Sequence, residues 1–121
     1  MQLSTETVAP YIGGQIEVQS RGEGYLYRGK VATAIVEDNT LRITLEWMAK
    51  AIGYPNPPSS WENDENLKYG ASLEIYGVSE LGGGRIVLSG IYTDEIAVLF
   101  PTTEEGLDPS KVVGLDLSNV A

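Results

Sequence analysis

The feature that most restricts this chain is the alternation of apolar and polar side chains over residues 30–47, which turns back on itself at Glu37-Asp38-Asn39-Thr40. Asp and Asn tolerate the positive φ that tight antiparallel connections demand, and a strand sends alternate side chains to opposite faces. Centring the turn on Asp38-Asn39 sets Val36 opposite Leu41, Ala34 opposite Ile43, Ala32 opposite Leu45 and Lys30 opposite Trp47. Apolar groups then collect on one predicted core face. The other face pairs Thr33 with Thr44, Ile35 with Arg42 and Val31 with Glu46, a mixture suited to solvent.

Similar runs recur between Gly, Asn and Asp clusters, predicting strands near 14–20, 24–37, 40–50, 70–80, 84–92 and 95–100, with a last strand near 111–117. The expected fold class is all-β: an antiparallel meander of six or seven strands, coiled or closed into a small barrel, in a single domain over 1–121. Residues 1–12 form an N-terminal segment and 51–67 a long Pro-rich loop. Residues 101–121 are expected to cover the continuously apolar run Ile96-Ala97-Val98-Leu99-Phe100. A second turn at Gly82-Gly83 sets Glu80 opposite Arg85, Gly77 opposite Leu88 and Ile75 opposite Gly90. Leu73, Ile75, Ile86, Leu88 and Tyr92 then share a face. Residues 44–53 have a helical rival, with Glu46 and Lys50 four apart, Gly53 at the cap and Pro55 beyond. The alternation through Trp47 favours the strand.

Composition narrows the chemistry. A 121-residue chain with 42% hydrophobic and 21% charged residues can bury a core without staples. It has no Cys and no His, which removes disulfides, thiolate chemistry and the commonest general base and transition-metal ligand. A reducing, cytoplasmic location is expected, with no membrane span and no secretory leader. The net charge of −9 offers no clustered cations for phosphates, so nucleic acid is not an expected partner.

Several motifs reduce to structural roles. Leu81-Gly82-Gly83-Gly84-Arg85 lacks the Lys-Ser/Thr and the following helix of a phosphate loop, and is read as a hairpin turn. Trp61-Glu62-Asn63-Asp64-Glu65-Asn66 lacks calcium-loop spacing and is read as a solvated loop. Glu46 and Glu74 have no identifiable reason for the divergent pKa values that a glycosidase pair requires. No catalytic residue, metal or cofactor is expected.

An aromatic and basic group carries the functional expectation. Arg28, Lys30 and Trp47 are predicted on the core-facing side of the first hairpin, at its end remote from the turn, beneath the loop bearing Tyr54 and Trp61. Dry cores do not hold unpaired cations, so this end is expected to be a rim or mouth, with Lys30 over Trp47 as a cation–π pair. The preferred expectation is a non-catalytic binding module. It takes a small anionic or planar ligand at Arg28, Lys30, Trp47, Tyr54 and Trp61, or a protein partner on its acidic exterior. The alternatives are an aromatic plug beneath snorkelling cations, and an assembly protein associating through sheet edges or an apolar patch.

Overall fold

The computed structural model describes residues 3–64, 71–90 and 94–116, apart from the side chains at 71 and 73–76. The expectations at Glu65, Asn66, Leu67, Tyr92 and Leu117, and those on the side chains of Leu73, Glu74 and Ile75, lie outside the described residues.

Among the described residues, eight strands make one mostly antiparallel sheet: β1 (Gln15–Ser20), β2 (Tyr25–Glu37), β3 (Thr40–Ile52), β4 (Ser60–Asn63), β5 (Ala71–Glu80), β6 (Ile86–Gly90), β7 (Ile96–Leu99) and β8 (Val112–Val113). Neighbours follow β2-β1-β7-β6-β5-β3-β4-β8, and β2 also pairs with β3. The all-β expectation holds, and residues 44–52 are strand rather than helix. The order departs from a plain meander in two places: β3 changes neighbour from β5 at 40–43 to β4 at 49–52, and β8 runs parallel to β4, the last strand of the sheet among the described residues.

In the C-terminal segment, Val112 and Val113 pair with Trp61 and Glu62 on β4, a strand within what the sequence presented as a loop.

The β2–β3 hairpin turns at Asp38 and Asn39, both at positive φ (50° and 61°). Val36–Leu41, Ala34–Ile43, Thr33–Thr44, Ile35–Arg42 and Lys30–Trp47 pair as expected, but Val31 lies opposite Leu45. The two ladder irregularities leave Ala32 extra on β2 and Glu46 extra on β3. They cancel in the residue count, so the pairing recovers at Lys30. They do not cancel in facing, because each extra residue reverses the alternation of its own strand. Val31 is therefore buried where solvent was expected, and Lys30 and Trp47 leave the main core face.

The second hairpin slips similarly. Gly83 and Gly84 both take positive φ (81° and 83°), so the third glycine joins the turn. Glu80 then meets Ile86 instead of Arg85, and Gly77 meets Ser89 instead of Leu88. An irregularity between Ile75 and Gly77 restores the expected Ile75–Gly90 pair.

The main core is built on Ile16, Leu41, Ile43, Leu45, Leu88 and Leu99. Its end is closed by α1 (Thr5–Val8), whose Val8 is fully buried beside Leu3. The Ser4 hydroxyl caps α1 by accepting the Thr7 N–H at 3.1 Å. Among the described residues, no helix is long and apolar enough to cross a membrane.

Candidate functional site

Beyond the irregular step in the β2–β3 ladder, the reverse face of the sheet carries a second apolar cluster. Trp47, Ala49 and Val112 form its buried centre, with Trp61, Leu107 and Leu115 packed around them. Trp61 and Trp47 thus belong to one cluster, away from the main core. Nothing in the alternation of β2 alone identifies this face, because the signal depends on two extra residues in separate strands.

The cations find partners on the same face. Arg28 forms an ion pair with Glu17, and its guanidinium lies 4.4 Å from the centre of the Phe100 ring. Arg85 lies 4.8 Å from that centre and donates from Nε to Glu104 Oε1 at 2.8 Å. The Lys30 ammonium is 3.1 Å from Glu46 Oε2, which replaces the expected cation–π contact with Trp47. Glu46 is the extra residue of β3, so the irregularity supplies the counter-ion. Tyr54 is not brought here; its hydroxyl reaches Gln19 Oε1 at 3.4 Å.

A cleft of about 300 Å³ opens beside Lys30 and Trp47, at the lower end of the range for ligand pockets. Its other walls are Gly13-Gly14-Gln15, Thr102, Glu104 and Pro109. Of the five expected residues, Lys30 and Trp47 line it; Arg28, Tyr54 and Trp61 do not. The glycine wall requires Gly14, where a Cβ would stand 2.4 Å from the Phe100 carbonyl oxygen. The backbone of this wall binds Val31 through Gly13 N–H (2.8 Å) and Gly14 C=O (2.9 Å).

The loop over the cleft is fastened by Gln15. Its Nε2 donates to Leu107 C=O at 2.8 Å while its Oε1 accepts the Leu107 N–H at 2.9 Å. Ninety-two residues separate this pair, so no local pattern announces it. Against these satisfied groups stands the Trp47 indole N–H. Trp47 is 1% exposed, and its Nε1 has no acceptor among the described residues. A buried donor left unpaired costs about 1–3 kcal/mol.

A second hollow, of about 420 Å³, is lined by Gln19, Arg21, Asp94 and Ile96. Asp94 accepts from Ser20 Oγ at 2.5 Å and from Gly22 N–H at 2.6 Å. The Ser20 hydroxyl bond, followed by the Gly22 N–H, holds the Asp94 carboxyl below its ordinary value. Nearby, burial first and the Glu95 hydrogen bond second push the Tyr25 hydroxyl well above its ordinary value. These groups brace the β1–β2 turn. Among the described residues, no three carboxylates assemble a metal site. The glycine turn at 82–84 leads into β6 rather than a helix, unlike a phosphate loop.

Comparison of the chain with protein-family models, curated proteins and solved structures finds no match.

Proposed function

We propose that this protein is a non-catalytic binding module whose small ligand sits in the cleft between Lys30, Trp47 and the Gly13-Gly14 wall, with an acceptor oxygen on the Trp47 indole N–H. The observation that carries this reading is the unpartnered, buried Nε1 of a cleft-lining residue. Lys30 supplies a second donor beside it. Its side chain is one-third exposed, and Glu46 opposes its charge in an ion pair. The test is a thermal-shift screen of small carboxylates, amides and polyols on wild type and Trp47→Phe, which keeps an aromatic ring but loses the donor. A compound that raises the wild-type midpoint and leaves the variant unmoved supports the cleft. If every active compound shifts both proteins equally, the reading fails.

The assembly reading keeps one observation in its favour: Val113 is 60% exposed on β8 at the open edge of the sheet. Association through that edge predicts a sedimentation coefficient that rises with concentration and stops rising in Val113→Lys.

A further inference from the structure

We infer that the ligand of the cleft is a small zwitterion, carrying a carboxylate towards Lys30 and Trp47 and an ammonium towards Glu104. This rests on the cleft reading above and assigns it a chemical class.

The charges of the cleft carry the inference. Among the described residues, two ionised side chains line it, Lys30 and Glu104, of opposite sign. Each is already half of a pair, Lys30 with Glu46 and Glu104 with Arg85, so the lining and its immediate partners sum to zero. A simple anion would gain Lys30 but also meet Glu104 in a cleft of only about 300 Å³, and a simple cation would meet the converse. A molecule with both charges satisfies both walls, and like-charge contact excludes its singly charged halves.

The indole N–H sets the polarity. Trp47 stands directly opposite Lys30 in the β2–β3 ladder, so an unpaired donor and an ammonium occupy neighbouring positions. Two donors on one cleft, one of them charged, suit a carboxylate better than a hydroxyl. Arg85 Nε engages Glu104 Oε1, which fixes that carboxylate in place. Thr102, beside it, offers a hydroxyl that serves as donor or acceptor.

The test is isothermal titration with glycine, β-alanine and γ-aminobutyrate, which differ only in the span between their charges, against acetate, ethylamine and glucose. The expected result is binding by at least one of the three zwitterions and binding at least tenfold weaker by acetate and ethylamine. Trp47→Phe should weaken the zwitterion at least tenfold. Glu104→Gln should narrow the gap between zwitterion and acetate at least fivefold while leaving the midpoint of unfolding within a few degrees. If acetate or glucose binds best, and does so through Trp47, the cleft stands and the zwitterion is overturned. If none of the six probes binds in a way that Trp47→Phe diminishes, the zwitterion is overturned; the broader screen above then decides the cleft itself.

Discussion

The side chain of Gln15 pairs with the backbone of Leu107 as a neighbouring strand would, giving one hydrogen bond and taking another across 92 residues of sequence. Gln15→Ala strips both partners from a part-buried peptide and should cost about 1–3 kcal/mol in urea unfolding. Gln15→Glu sets an oxygen against the Leu107 carbonyl. It should destabilise more at pH 7 than at pH 4, where a protonated carboxyl can donate in its place. An unchanged urea midpoint in both variants would mean that the loop is held elsewhere.

Ala32 and Glu46 are the unmatched residues of the β2–β3 ladder, and each reverses the facing of its strand. Removing either alone should send half a strand to the wrong face and cost more than about 4 kcal/mol, or abolish folding. Removing both leaves Thr33–Thr44, Val31–Leu45 and Lys30–Trp47 in an unbroken ladder with every face preserved. The double deletion should therefore be more stable than either single deletion. Near-UV circular dichroism and urea titration of the three variants decide this, and the opposite order would overturn the assignment of the unmatched residues.

Gly29 packs directly against the facing strand. A Cβ there would stand 2.8 Å from the Trp47 carbonyl oxygen and 3.0 Å from Leu45 Cδ1. The first contact is with backbone and cannot be relieved by a rotamer change. Gly29→Ala should cost about 1–3 kcal/mol by thermal or urea unfolding. A neutral effect would show that β2 and β3 can separate there.

Asp94 links the β1–β2 turn to β7 through Ser20 and Gly22. Its carboxyl titrates below the ordinary value when folded, so the unfolded chain takes up the proton first as pH falls. The stabilisation is full above the unfolded value, about 3.9, and is lost as pH drops through the lower folded value. Wild type should lose more of its melting temperature between pH 5 and pH 2 than Asp94→Asn. Parallel curves would assign the acid sensitivity to other carboxylates.

The strands and the first hairpin pairing were legible because alternation and turn chemistry act over a few residues. Lys30 does face Trp47. Which face they occupy was not legible, since Ala32 and Glu46 offset one another in the count and no local rule marks either as unmatched. The third glycine of 82–84 moved the second register by one residue for the same kind of reason. The N-terminal segment does carry a local signal: Ser4 stands three residues before Thr7, whose N–H it caps, and Pro10 follows at the start of the next turn. The cleft itself depends on Gly14, Gln15, Thr102 and Glu104 meeting across most of the chain, an encounter that only tertiary structure decides.

The change of neighbour along β3 divides the molecule into two units of unequal persistence. Strands β4 and β8 guard only the cluster of Trp47, Ala49 and Val112, so they can peel away while the pairing of β3 with β2 and β5 endures. Amide protons of β4 should therefore exchange with deuterium through a sub-global opening whose rate changes little in low urea, whereas those of Leu41, Ile43 and Leu45 should wait for complete unfolding. A ligand seated against Trp47 would slow the first class of protons selectively, so exchange at Trp61 and Glu62 would report occupancy of the cleft without a label.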